Sequence, residues 1–123
     1  MPPRTQTACI DFDGVIATYD GWKGPDILGE PIAGVAEGIQ RLKDNNWMII
    51  IFTTRLASDK LRTYLNDNKI PFDYINENPE QYPNTNNGKP AAHVYIDDRA
   101  ITFNGNWVET VDTVLNFKPW YKK

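Results

Sequence analysis

Apolar positions along the chain gather into short dense runs, separated by segments with helical spacing. The run Trp47-Met48-Ile49-Ile50-Ile51-Phe52 is apolar at every position. That pattern predicts a central strand of a parallel sheet covered on both faces. A second run, Ala8-Cys9-Ile10-Asp11-Phe12, predicts a buried strand over 8–12 with an acid near its C-terminal end. Val35, Ile39 and Leu42 recur at helical spacing and Lys43 and Asn45-Asn46 close the segment, which predicts a helix over 34–46. Ser58 is a good N-cap for a helix over 58–68, with Leu61, Tyr64 and Leu65 as its apolar stripe, and Pro71 stops any continuation. Strands are predicted at 72–75 and 93–96, with a short one at 100–103. A last helix is predicted over 107–115, with Val108, Val111 and Leu115 facing inward. Residues 14–31, rich in Gly, Pro and Asp, predict a small hairpin flap whose first strand is 15–18 and whose turn is Asp20-Gly21. Residues 76–89 form a polar loop.

The alternation of strands and helices predicts an α/β fold: a three-layer, Rossmann-like open parallel sheet with helices on both faces. In such sheets ligands sit outside the carboxyl ends of the strands. Asp11 and Asp13 follow the first strand, Thr53 the second, and Asp97 and Asp98 the fourth, so the topology gathers them at one edge.

Composition narrows the picture. A chain of 123 residues, 41% hydrophobic and 24% charged, suits a single domain over 1–123 with a real core and no global disorder. A formal net charge of -3 weighs against nucleic acid held on a broad basic face, and it is compatible with carboxylates clustered around a cation. The one cysteine, Cys9, allows no internal disulfide and fits a reducing, cytoplasmic setting. Residues 1–7 are polar, with two prolines and no targeting pattern. The apolar run 47–52 is too short to span a bilayer, so no membrane partner is expected.

Four carboxylates meeting at one edge repel one another. Two charges roughly 4 Å apart cost about 4 kcal/mol at an effective dielectric of about 20. A divalent cation offsets that repulsion, and an oxygen-rich set with few His or Cys points to magnesium. Lys89 adds a positive charge and Thr53 a hydroxyl donor, which together suit a phosphate group. In a strand alternate residues share a face, so Asp11 and Asp13 are expected to point at one substrate. One can attack phosphorus while the other protonates the departing oxygen. Gly14 lets the chain leave the strand sharply.

On these residues the sequence resembles the haloacid dehalogenase superfamily. Asp11-Phe12-Asp13-Gly14 is similar to its first motif, and Thr53 closing Ile49-Ile50-Ile51-Phe52 to its second. Lys89 in Gly88-Lys89-Pro90 is similar to the third, and Tyr95-Ile96-Asp97-Asp98 to the fourth. All four occur in the family's order and span most of the chain. The resemblance implies a Mg²⁺-dependent phosphomonoesterase. Asp11 would form an aspartyl-phosphate and ligate magnesium. Asp13 would act as general acid and then base, its backbone carbonyl also on the metal. Thr53 and Lys89 would hold phosphoryl oxygens, and Asp97 and Asp98 would complete the metal set. An acid at position 13 favours phosphate over halide, because an alkoxide leaving group needs a proton. Neither usual insertion point has room for a cap domain, so the resemblance is to a capless member. Its open site suits a large phosphorylated substrate or closure by a partner subunit, including a second copy of the chain. Tyr19 and Trp22 in the flap, with Gly14, Thr54 and Arg55, are the candidate substrate contacts.

Each residue also has a plainer reading. Asp11 and Asp13 could be solvated strand-end acids, although burying an unpaired carboxylate is costly. Thr53 alone reads as a β-branched strand residue, Lys89 as a surface lysine, His93 as structural and Cys9 as a small core residue. Arg55 and Arg99 read as partners of nearby acids, and the tryptophans as core or flap packing. Three other functions compete. A receiver domain places its acid pair first and its lysine last, unlike the order here. A phosphotransferase of the same superfamily needs water excluded. The third is a non-catalytic module that binds phosphate and metal.

Overall fold

The computed structural model describes residues 6–122. Of the stretch 1–7 read above for targeting signals, residues 1–5 lie outside the described residues. The chain forms strand β1 (Gln6–Ile10), helix α1 (Val35–Asp44), strand β2 (Trp47–Ile51), helix α2 (Asp59–Asp67), strands β3 (Tyr74–Ile75) and β4 (Val94–Ile96), helix α3 (Trp107–Leu115) and a single 3₁₀ turn (Trp120–Lys122). The four strands make one all-parallel sheet in the order β3-β2-β1-β4. This is a small Rossmann-like α/β fold. No helix among the described residues is long and apolar enough to cross a membrane.

Strand order explains which face is covered. β1, β2 and β3 step across the sheet in one direction, and right-handed crossovers therefore put α1 and α2 on the same face. There Ala8, Ile10, Phe12, Ile49 and Ile51 pack with Ile39 of α1 and with Leu61 and Leu65 of α2. The Ser58 hydroxyl caps α2 by accepting the Leu61 N–H at 3.2 Å. The chain then jumps from β3 back past β1 to β4. That crossover contains no helix; Asn78, Pro90 and Ala92 carry it along the second face, beside Cys9, Met48 and Ile50.

The register aligns the strand ends. Ile75, Ile51, Ile10 and Ile96 stand in one row across the sheet. The next residues, Asn76, Phe52 and Asp11, each donate a backbone N–H to the neighbouring isoleucine carbonyl at 2.8 Å. Asp11 and Asp97 thus flank the point between β1 and β4 where strand order reverses, which is where open α/β sheets bind ligands.

Several expectations are corrected. No strand forms over 100–103, because no neighbour is available beyond the β4 edge. The flap strand at 15–18 reduces to isolated bridges, Asp13 with Ala17 and Ala17 with Pro31. The antiparallel pairing that remains, Thr18 N–H to Glu30 and Ile32 N–H to Ile16, still makes a hairpin-like flap. Among the described residues the second face carries no packed helix: α3 has no buried residue, so Val108, Val111 and Leu115 do not point inward, and Trp107 is not packed in a core.

Candidate active site

The first strand ends one residue before its acid. Beyond it the Phe12 carbonyl accepts three N–H groups, from Val15 (3.3 Å), Ile16 (2.9 Å) and Ala17 (3.0 Å), and curls the chain into a tight turn. Gly14 sits at φ +84° in this turn, and a Cβ there would run into the Asp98 carboxylate. The curl takes the chain out of the strand after Asp11, and the two acids line different cavities. Asp11 keeps the strand's direction and lines a cavity of about 400 Å³ with Lys89, Tyr95 and Asp97. Asp13 swings toward the flap and lines a second cavity of about 290 Å³ with Tyr19, Lys23 and Arg55.

Asp11, Asp97 and Asp98 form a cluster in which one carboxylate oxygen from each lies within 4.8 Å of the others. Both Asp98 oxygens are buried and have no hydrogen-bond partner. The Asp11 carboxyl is pushed up to about 8, first by burial, then by the facing Asp98 carboxyl and the charge of Asp97, against the pull of the Phe12 N–H it accepts. Two buried carboxylate oxygens on Asp98 without a donor are costly, and a shared proton or a cation would satisfy them. Three hard oxygen donors at this spacing fit magnesium. The carboxylate of Asp13 is not in this cluster.

Arg55 holds Asp13 instead. Its Nε donates to Oδ2 at 2.8 Å and its Nη2 to Oδ1 at 3.0 Å, a bidentate pair with the arginine side chain almost fully buried. The same guanidinium donates to the carbonyls of Pro25 (3.4 Å) and Ile27 (3.1 Å), and lies 4.8 Å from the Trp22 ring centroid and 5.7 Å from that of Phe12. Arg55 is therefore paired with the acid and tied to the flap, and it also lines the Asp13 cavity. Thr53 is buried; its hydroxyl accepts the Arg55 N–H at 3.1 Å and keeps its own proton to donate. Thr54 is exposed and opens to a different cavity, beside Trp22 and Leu56. Lys89 is exposed, with its ammonium 5.1 Å from the Tyr95 ring centroid, and the Tyr95 hydroxyl donates to the Pro90 carbonyl at 2.7 Å. This fixes the lysine loop beside the Asp11 cavity. His93 accepts the Thr7 N–H on Nδ1 at 3.0 Å, a structural role. Cys9 is core, its thiol pushed up to about 11 by burial.

Three residues with a part in this site were not foreseen. Asn76, at φ +60°, accepts the Thr53 N–H at 2.7 Å and donates to the Arg55 carbonyl at 3.0 Å, clamping the second-strand loop. An Asn immediately after a predicted strand was the available signal, since Asn tolerates the left-handed region. Trp120 and Tyr121 reach Gly14 from the C-terminal end; no periodicity marks such a long-range contact. Arg99, read as pairing with an acid, turns its side chain to the Tyr121 hydroxyl at 3.2 Å, while its backbone N–H caps Asp97 at 2.8 Å.

No protein-family model matches the chain, and no curated protein sequence does either. Among solved structures, a conserved protein coded by a locus from Bacteroides thetaiotaomicron is similar over 96% of each chain, with a TM-score of 0.65 and 21% identity. At that identity the likeness shows a shared fold.

Proposed function

We propose that this chain is a magnesium-dependent phosphomonoester hydrolase, a capless member of the haloacid dehalogenase superfamily. The observation that carries the reading is the acid cluster. Asp11, Asp97 and Asp98 meet at the reversal point of a parallel sheet, with both Asp98 oxygens lacking a partner. Asp11, Asp97 and Asp98 would hold magnesium, which would offset their mutual repulsion and polarise a phosphoryl oxygen. One Asp11 oxygen attacks phosphorus, forming the aspartyl-phosphate as the bond to the leaving oxygen breaks. Asp13 gives that oxygen its proton, then takes one from the water that releases phosphate and restores Asp11. Lys89 and the Thr53 hydroxyl hold phosphoryl oxygens.

The Arg55 grip on both Asp13 oxygens favours a second reading, a module that binds metal and phosphate without turnover. One experiment separates them. Purified protein with magnesium should hydrolyse an aryl phosphate, and Asp11→Asn should cut turnover by on the order of 10³-fold or more. Asp13→Asn should cost most for substrates with poor leaving groups. Magnesium binding with no turnover of any phosphomonoester would support the second reading, and unchanged turnover by Asp11→Asn would remove the nucleophile assignment.

A further inference from the structure

The open site has a cover within its own chain. The indole N–H of Trp120 donates to the Gly14 carbonyl at 2.7 Å, across 106 positions of sequence. The next ring, Tyr121, lies with its Cε1 3.1 Å from where a Cβ on Gly14 would stand, on the residue that also abuts Asp98. It meets the flap residue Tyr19 edge-on at 6.2 Å between centroids and Trp120 at 5.8 Å. Its hydroxyl accepts from Arg99 at 3.2 Å. Tyr19 lines the Asp13 cavity, so the Tyr19–Tyr121 pair joins that cavity to the Asp98 side of the acid cluster.

A role in packing alone fits poorly. Trp120 remains 53% exposed despite its bond to Gly14, so the turn leaves aromatic surface facing solvent beside the Gly14 loop. On the phosphatase reading, a phosphomonoester attacked at phosphorus by Asp11 and protonated on its leaving oxygen by Asp13 places that oxygen between the two cavities. The leaving group then lies against these rings.

We infer that Tyr121, seated by Trp120 and paired with Tyr19, determines leaving-group specificity, selecting phosphomonoesters whose leaving group carries a flat aromatic ring over aliphatic ones. Aromatic faces reward an aromatic partner with offset or edge contacts that an alkyl chain does not make. This inference rests on the phosphatase reading for the placement of the leaving group.

Binding and turnover test it separately. With magnesium present, calorimetry should show phenylphosphonate binding more tightly than methylphosphonate. Tyr121→Ala should shrink that ratio by about threefold to tenfold, the range such ring contacts span. Tyr121→Phe keeps the ring and loses the Arg99 bond, and should keep the ratio. In turnover, the preference in kcat/KM for phenyl phosphate over glycerol phosphate should fall in Tyr121→Ala through KM. A general loss of structure would weaken both ligands together and leave the ratio where it was. An unchanged ratio in Tyr121→Ala, for binding or for turnover, overturns the inference even if the enzyme is active. Selective phenylphosphonate binding by a protein that turns over nothing would overturn the phosphatase reading and leave the aromatic wall standing.

Discussion

The two flanks of β1 are built very differently. On one side Ile49, Ile50 and Ile51 of β2 are each 0% exposed, Ile49 and Ile51 packed with residues of α1 and α2 and Ile50 on the opposite face with Cys9 and Met48. On the other, β4 is three residues long, with Val94, Tyr95 and Ile96 between 38% and 43% exposed, and α3 behind it presents Trp107, Val108 and Leu115 to solvent. Apolar area removed from water is the main favourable term in folding, so the first flank carries most of the stability. The chemistry does not follow that division. Asp11 and Thr53 stand on the firm flank and Asp97 and Asp98 on the loose one, so a cation shared by Asp11, Asp97 and Asp98 would also fasten β4 to the rest of the sheet.

The largest effect is expected where the flanks meet. In chelator, the Asp11 carboxyl is held up at about 8 in the folded state, against about 3.9 for an unfolded aspartate. Between those values the folded protein keeps a proton that the unfolded chain has lost. This stability is complete below about pH 4 and is lost as pH rises toward 8. Melting temperature should therefore fall between about pH 5 and about pH 8 in EDTA, and excess magnesium should reverse most of that fall. A melting temperature that is flat with pH in EDTA would mean that Asp11 does not hold a proton against Asp97 and Asp98 in the folded state.

The next effect contrasts the flanks directly. Ile49→Ala removes three buried carbons from the filled core and should cost about 2–5 kcal/mol in urea unfolding. Val111→Ala on exposed α3 should change stability by no more than about 0.5 kcal/mol. A loss at Val111 approaching that at Ile49 would show that α3 is packed in solution.

The smallest contrast uses matched caps. The Ser58 side chain caps α2 and the Asn106 side chain caps α3, the latter accepting the Glu109 N–H at 3.1 Å. Ser58→Ala should cost about 1 kcal/mol. Asn106→Ala removes an equivalent bond from a helix with no buried residue, so local fraying should absorb it and the global unfolding midpoint should barely move. Equal shifts would erase the distinction between the two helices.

Pattern recovered the firm flank well because its signals are local and strong. The β2 run, the Val35–Ile39–Leu42 stripe and the Ser58 cap are each written within a few residues, and each element appears within two residues of its predicted bounds. Strand 93–96 and helix 107–115 were also legible as elements, but not their packing, since an amphipathic stripe states what a helix can bury and not whether a partner is in reach. For the site, the sequence named Asp11, Asp97 and Asp98, and parallel topology explains why strand-end acids converge.

By itself, then, the sequence determined the strand and helix alternation, the edge at which polar groups collect and the acids that collect there. The tertiary structure alone decided that both Asp13 oxygens pair with Arg55, because the three-donor turn at the Phe12 carbonyl takes the chain out of the strand after Asp11. It alone brought Trp120 and Tyr121 to Gly14, because a contact across more than a hundred residues depends on where the folded chain returns, which no local period encodes.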